Sequence, residues 1–200
     1  MFLTFICLIA MVVSITASTK ILNQRSKVLL PTGLSKIVES DAQFLADRIE
    51  KRVVTVDGKR IDSSFVKLEK NLSASSNKGE KKQVPFLSGL FNAQSTFSSR
   101  KAPLVLLHGF DSSCLEFRRL APLLNYERDV YVVDILGWGF IDHSVVEDFT
   151  PAAKMAHLKA FVRDVVGQRV VVVGTSLGGA LAITLAVEEP KLVEQVNSFD

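Results

Sequence analysis

The stretch VVVVGTSLGGALAITLAVEE, residues 170–189, decides the fold of this 200-residue chain. Its four consecutive valines are typical of a strand that is buried on both faces of a parallel sheet. The run that begins at Leu177 is apolar nearly all round, which is typical of a helix packed under a sheet. One small polar residue, Ser176, stands at the junction between Gly174 and Gly178. The stretch therefore predicts a strand, a sharp turn that carries a serine, and a helix.

The glycines around Ser176 indicate how sharp this turn is. A tight strand-to-helix turn brings the chain close to itself two residues before and two residues after the serine, which favours Gly174 and Gly178, and Gly179 lets the helix approach the sheet. The pattern G-x-S-x-G in this setting is typical of a nucleophile elbow. The backbone N–H of Leu177 would then face a developing oxyanion at the positive end of the helix. The alternative is an ordinary turn with a capping serine.

Two further motifs follow predicted strands. HGFDSS (108–113) follows the apolar run 103–107, and DILGWG (134–139) follows the run 129–133. Because the carboxyl ends of parallel strands share one edge of a sheet, both motifs lie on the same edge as the serine. His108 and Gly109 allow a tight loop over the site, and the N–H of Phe110 is the natural second oxyanion donor. The residues expected to shape the next loop are Asp134, Gly137 and Gly139.

The alternation of apolar strands with helices predicts an α/β protein with a mostly parallel sheet and helices on both faces. Helices are predicted over 113–124, where Pro122 bends or ends the helix, and over 151–166. A fourth strand is predicted over 192–199. Before the first motif, the sequence predicts an amphipathic helix over 34–50 and a hairpin over 53–69 around Asp57-Gly58. The apolar face of that first helix is Ile37, Val38, Phe44, Leu45 and Ile49.

The chain divides into a hydrophobic segment (1–19), an extension with the amphipathic helix (20–51) and the main domain (52–200), in which 70–101 is a flexible insertion. Residues 2–17 are almost wholly apolar but fall short of the roughly 20 residues that span a bilayer. A secretory signal, an uncleaved membrane anchor, import into an organelle such as a plastid, and a buried N-terminal helix are all compatible with this segment. We expect the protein in the secretory pathway, at a membrane or in an organelle rather than in the plain cytosol.

Composition excludes several classes of function. A net charge of +3, with no arginine-rich stripe, argues against a nucleic-acid partner. Two cysteines, Cys7 and Cys114, cannot form a disulfide framework within the folded part or a cysteine-based zinc cluster. The histidines show no metal-ligand spacing. We therefore expect no metal and no organic cofactor, and the sequence does not indicate an oligomeric state.

Together, LVLLHGFDSS, DILGWGF and VVVVGTSLGGA resemble the α/β-hydrolase superfamily, in its single-domain, lipase- or esterase-like branch. HGFDSSCLEFRRLAPLL and DILGWGFID are similar to plant and cyanobacterial members of unassigned substrate. The resemblance covers about residues 52–200. It implies a serine hydrolase that acts on an ester, thioester or amide, a carboxylic ester first of all. In that reading Ser176 attacks the acyl carbon of a small-molecule substrate, Phe110 and Leu177 hold the oxyanion, and a histidine removes the serine proton.

The resemblance also implies an acid and then a histidine after the nucleophile, and no histidine follows Ser176. His108 is expected to be structural, His143 to be a polar loop residue and His157 to be a helix side chain. Asp200 follows the predicted fourth strand, where a minority of relatives place their acid. We expect a fragment or truncated product of a longer hydrolase, without its later strands, lid and most of its acyl pocket. The alternative is a non-catalytic ligand-binding or inactive homologue.

Overall fold

The computed structural model describes residues 30–71 and 101–199, in which six strands form one sheet. The order across the sheet is β1-β2-β4-β3-β5-β6. β1 and β2 pair antiparallel, as do β2 and β4, whereas β4, β3, β5 and β6 run parallel to one another. The predicted mostly parallel sheet is confirmed. The strands are β1 (Ile49–Val56), β2 (Lys59–Leu68), β3 (Leu104–Leu107), β4 (Val130–Val133), β5 (Val170–Thr175) and β6 (Val193–Phe199).

Helices cover both faces of this sheet, as predicted. The α-helices are α1 (Ser40–Ala46), α2 (Ala121–Leu124), α3 (Pro151–Phe161) and α4 (Leu177–Glu188). Successive β3 residues point to opposite faces, so that Val105 packs with α3 and α4 while Leu106 packs with α1 and α2. Short 3-10 helices span Thr32–Lys36 and Cys114–Phe117, and a π-helical turn, Val162–Val166, continues α3. The two apolar layers hold the carboxyl ends of the parallel strands at one edge.

The single helix predicted over 34–50 is wrong. The chain forms a 3-10 helix, then the short helix α1, and Ile49 already begins β1. Strand pairing wins over helical periodicity because Ile49 and Glu50 pair with Val66 and Phe65 of β2. Two members of the predicted apolar face are therefore exposed, Val38 at 93% and Phe44 at 37%.

The predicted hairpin and the predicted helix over 113–124 had different outcomes. The hairpin is confirmed, and Asp57 and Gly58 have φ of 48° and 77°, as a two-residue hairpin turn with both central residues left-handed requires.

The single helix predicted over 113–124 is wrong, because a 3-10 helix ends at Phe117 and α2 begins at Ala121. Pro122 does not end a helix but lies in the first turn of α2, where its missing N–H costs nothing.

Several predictions fall on residues outside the described ranges. The hydrophobic segment 2–17 and nearly all of the insertion 70–101 are among them, and so is Asp200. Between 30 and 71 and between 101 and 199, the structure has no helix long and apolar enough to cross a membrane. The domain boundaries and the targeting role stay predictions.

The core on the α3 side depends on Phe161, which is fully buried and meets the Phe65 ring edge-to-face, with the two ring centroids 5.1 Å apart. We expect Phe161→Ala to lower the free energy of unfolding by about 3–5 kcal/mol, because it leaves a large cavity. Urea denaturation followed by circular dichroism measures this loss. Val187→Ala, at a residue 76% exposed, is the control and should change stability by about 0.5 kcal/mol or less. Equal losses in the two variants would contradict this account of the core.

Candidate active site

Ser176 lies between β5 and α4, at the edge where the three motifs meet. Its backbone has φ 47° and ψ −114°, a strained conformation for a residue with a Cβ atom. The Ser176 N–H donates to the carbonyl of Phe199 at 2.8 Å, and its carbonyl accepts from the N–H of Ala180 at 3.1 Å. The residue itself is exposed. The turn is thus held by β6 on one side and α4 on the other, with the serine facing solvent.

The glycines around the serine stand where the backbone leaves no room for a side chain. A Cβ atom on Gly174 would lie 2.2 Å from the carbonyl of Gly178. A Cβ atom on Gly178 would lie 2.2 Å from the carbonyl oxygen of Leu107, at the end of β3. Gly179 is less crowded, because its Cβ atom would lie 3.2 Å from that of Ser198. The close approach brings the elbow against the end of β3.

The loop after β3 passes directly beside the serine. A Cβ atom on Gly109 would lie 3.8 Å from the Cβ of Ser176. The side chain of His108 is fully buried beneath this loop, and its Nε2 accepts the N–H of Ile135 at 3.0 Å. Because Nε2 is an acceptor, Nδ1 carries the proton and donates to the carbonyl of Gly109 at 2.7 Å. Both ring nitrogens are therefore occupied, and neither can take the serine proton.

Asp134 is fully buried at the end of β4 and joins three parts of the chain. Its Oδ1 accepts the N–H of Cys114 at 2.6 Å, and its Oδ2 accepts the N–H of Phe140 at 2.9 Å and the hydroxyl of Ser64 at 2.5 Å. A Cβ atom on Gly139 would overlap this carboxylate at 2.2 Å. Gly137, in the same loop, has a φ of 99°. The β4 loop therefore closes on a buried carboxylate.

Two backbone donors next to the serine are free. Within residues 30–71 and 101–199, the N–H groups of Phe110 and Leu177 have no hydrogen-bond acceptor. Leu177 opens α4, so that its N–H is one of the donors that a helix leaves unused at its start. The Phe110 side chain is 72% exposed and meets the Trp138 ring edge-on at 5.1 Å. Free N–H groups beside an exposed serine can stabilise an oxyanion.

A side chain with no role predicted from the sequence, Glu116, joins the two loops nearest to the serine. Glu116 accepts the hydroxyl of Thr175 at 2.5 Å through Oε1 and the N–H of Gly109 at 2.9 Å through Oε2. Burial alone would raise the pKa of Glu116, but hydrogen bonds from Thr175, Gly109 and Ser112 outweigh it and hold that pKa below its usual range. Glu116 lies after the HGFDSS motif, within the quoted stretch HGFDSSCLEFRRLAPLL, but 59 residues separate it from Thr175, so neighbouring residues do not indicate this contact.

The remaining candidate groups do not meet at the serine. His143 is exposed and packs its ring on Phe149 at 5.6 Å. His157 is buried, its Nε2 has no partner within residues 30–71 and 101–199, and burial lowers its pKa to about 4. Burial, aided by the negative charge of Asp134, raises the pKa of the Cys114 thiol well above its usual range. In the described ranges no cluster of three or more His, Cys, Asp or Glu side chains could hold a metal ion.

A serine at a strand-to-helix elbow, with glycine-rich loops at the same edge of the sheet, is typical of the α/β-hydrolase fold. Residues 104–196 match the model of the alpha/beta hydrolase family, which confirms over that range the resemblance noted from the motifs. A crystal structure of an alpha/beta hydrolase from Novosphingobium aromaticivorans superposes with a TM-score of 0.54 at 21% identity. That match covers 76% of this chain and 44% of the other, and it supports the fold alone.

Curated relatives are hydrolases by name. The alpha/beta hydrolase domain-containing protein VTE7 of Arabidopsis thaliana is 38% identical over 97 residues, which are 48% of this chain and 29% of that protein. The sn-1-specific diacylglycerol lipase ABHD11 of Xenopus laevis is 35% identical over 100 residues, 49% of this chain and 31% of that lipase. The chain therefore spans about a third of the length of these relatives.

The Asp134 contacts generate a stability prediction. Asp134→Asn places an NH₂ group where the carboxylate accepts hydrogen bonds, so that at least one buried donor loses its partner. We expect a loss of about 3 kcal/mol in the free energy of unfolding, measured by urea denaturation. Asp164→Asn makes the same chemical change at an exposed position and should cost about 0.5 kcal/mol or less. An Asp134 variant as stable as this control would refute the assignment.

His157 generates a prediction about pH. Its pKa of about 4 lies below the ordinary 6.5, so the folded protein binds the His157 proton more weakly than the unfolded chain. The stability from neutral His157 is therefore present above pH 6.5 and lost as the pH falls from 6.5 towards 4. We expect His157→Leu to remove about 2–3 kcal/mol of the stability lost between pH 7 and pH 4.5. Urea denaturation at both pH values measures it.

The matched control is His143→Leu, at an exposed histidine, which should leave the pH dependence of the unfolding free energy as it is in the unchanged protein. If His157→Leu and His143→Leu show the same pH dependence, burial of neutral His157 does not contribute to acid sensitivity.

Proposed function

We propose that this chain supplies the nucleophile and the oxyanion-binding groups of a serine hydrolase, which cleaves an ester, thioester or amide through an acyl-serine. The observation that supports this best is the backbone of Ser176. A left-handed φ costs a residue with a Cβ atom about 1–3 kcal/mol. A serine that only caps a helix gains its stability from a side-chain hydrogen bond, and Ser176 makes no such bond to α4. Strain at an exposed hydroxyl favours a nucleophile over a cap.

The chemistry follows from the groups around the serine. The Ser176 hydroxyl attacks the acyl carbon while a general base removes its proton. The negative oxygen of the tetrahedral intermediate accepts hydrogen bonds from the N–H groups of Phe110 and Leu177. Collapse of the intermediate releases the alcohol, thiol or amine, which takes the proton from the base, and water then hydrolyses the acyl-serine by the same steps.

The base is proposed to come from outside this 200-residue sequence. His108 uses both ring nitrogens, and in the described part of the chain neither His143 nor His157 makes a hydrogen bond to Ser176. A histidine oriented by a carboxylate would complete the arrangement.

A carboxylic ester with an apolar acyl group is the substrate class we propose first. The exposed ring of Phe110 and its contact with Trp138 place apolar surface beside the proposed oxyanion site. One relative is named a diacylglycerol lipase, which is consistent with such a substrate. Membrane or organelle targeting through residues 2–17 is part of the proposal and fits a lipid-like ester.

A second candidate is a non-catalytic ligand-binding protein. It is favoured by one observation, namely that none of the three histidines in this sequence is placed as a base for Ser176. Such a protein would bind an acyl compound at the same edge, and its melting temperature would rise with the ligand concentration without turnover.

Ser176→Ala tests the catalytic proposal in the protein as its natural source produces it. We expect hydrolysis of p-nitrophenyl esters to fall by about 10⁶-fold, because the attacking oxygen is lost. A fluorophosphonate should add to the unchanged protein and not to the variant, as measured by intact mass. Ser35→Ala, at an exposed serine of the first 3-10 helix, should keep both activities. Turnover retained in Ser176→Ala would exclude the acyl-serine mechanism.

The intact mass of the native protein separates the two candidates further. A mass near 22.0 kDa together with ligand-induced stabilisation and no turnover would favour the binding protein. A mass about half as large again, with Ser176-dependent turnover, would favour a hydrolase whose base lies elsewhere in the same polypeptide.

A further inference from the structure

Glu116 touches both loops that flank the proposed nucleophile. Its carboxylate accepts a hydrogen bond from Thr175, the residue before Ser176, and another from the N–H of Gly109, the residue before Phe110. One side chain thus connects the neighbour of the proposed attacking group to the neighbour of a proposed oxyanion donor.

We propose that Glu116 is a positioning residue of the site, which holds the Gly109–Phe110 peptide so that the Phe110 N–H faces the acyl oxygen. This inference rests on the proposed serine-hydrolase function. Glu116 does not touch the substrate in this role. It acts through Gly109 and Thr175.

The geometry of the peptide explains how this works. The carbonyl of the Gly109–Phe110 peptide accepts the Nδ1 proton of His108 at 2.7 Å. Because a trans peptide is planar, the N–H of Phe110 points the opposite way. The other side of Gly109 is anchored by its N–H bond to Glu116 at 2.9 Å. Glycine has no side chain to restrict its backbone, so these two bonds fix an otherwise free turn.

The negative charge of Glu116 and its hydrogen bonds have opposite expected effects on the rate, so the two roles can be distinguished. Hydrogen bonds from its three donors outweigh its burial and hold its pKa low, so Glu116 is a carboxylate at neutral pH. A negative charge near a developing oxyanion opposes the reaction, so loss of the charge alone would speed it. Loss of the anchor would slow it, because a small misplacement of an oxyanion donor costs about 10²-fold in rate.

Glutamine can keep the anchor without the charge. Its amide oxygen can accept the N–H of Gly109 while its NH₂ group donates to the hydroxyl of Thr175. We therefore expect Glu116→Gln to stay within about threefold of the unchanged kcat, and Glu116→Ala to lower kcat by about 10²-fold with KM changed less than threefold. Thr175→Val should lower kcat by about tenfold, and Thr175→Ser, which keeps the hydroxyl, should restore it.

A readout that needs no turnover keeps this test apart from the test of function. We expect the ¹⁵N order parameter of the Phe110 amide to fall from about 0.85 to below about 0.6 in Glu116→Ala and Thr175→Val. Val105 in β3 should stay rigid in both variants. If Glu116→Ala fails to fold, Thr175→Val gives the same measurement.

The outcomes are distinct. A mobile Phe110 amide in a protein without acyl turnover would leave the positioning role standing and refute the hydrolase. An unchanged order parameter, or a kcat that is unchanged or raised in Glu116→Ala, would overturn the positioning role. Equal loss of order at Phe110 and Val105 would also overturn it, because Glu116 would then support the fold as a whole.

Discussion

The close crossing of backbone at the elbow is the constraint on which the rest of the site depends. Gly178 lies against the carbonyl oxygen of Leu107, and Gly174 lies against Gly178, so that β3, β5 and α4 meet with no side chain between them. This contact lets α4 start directly at the end of β5 and forces Ser176 into a left-handed conformation. The same contact sets the loop after β3 beside the serine. The buried faces of the parallel strands supply the apolar packing that offsets the strain.

Three polar side chains organise the loops around this crossing. Asp134 accepts hydrogen bonds from β2, from the 3-10 helix that begins at Cys114 and from the loop after β4. His108 connects the loop after β3 to the loop after β4. Glu116 joins the β3 loop to the elbow. Loops lack the regular backbone hydrogen bonds of strands and helices, so buried donors there need side-chain acceptors. The candidate site is thus a backbone arrangement held by side chains that do not themselves react.

The proposal that the base lies outside this sequence rests on the same arrangement. Ser176 and the N–H groups of Phe110 and Leu177, which have no acceptor in the described part of the chain, lie on two adjacent loops at the edge where the parallel strands end. In the described loops, His108, Asp134 and the half-buried Glu116 each have hydrogen-bond partners of their own. This sequence also spans only about a third of the relatives that it matches.

Local sequence determined the elements with strong short-range signals. Neighbouring residues were enough to predict β5, from its valine run, the apolar helix α4 and the Asp57-Gly58 turn. The same is true of the elbow at Ser176 with Gly174 and Gly178. The helix predicted over 34–50 was wrong because helical periodicity competed with strand pairing there. Pairing with β2 decides the conformation of Ile49 and Glu50. The helix predicted over 113–124 is broken for a similar reason. The N–H of Cys114 donates a hydrogen bond to Asp134, which lies 20 residues away in the sequence.

The sequence by itself thus determined the class of fold, the position of the serine and the glycines that its turn requires. Only the tertiary structure decided that His108 is engaged at both nitrogens, that the buried Nε2 of His157 has no partner among the described residues, and that Glu116 joins Gly109 to Thr175. The physical reason is range. Strand, helix and turn propensities act over a few residues, whereas a hydrogen bond between side chains 59 residues apart exists only after the sheet has brought the strand ends together.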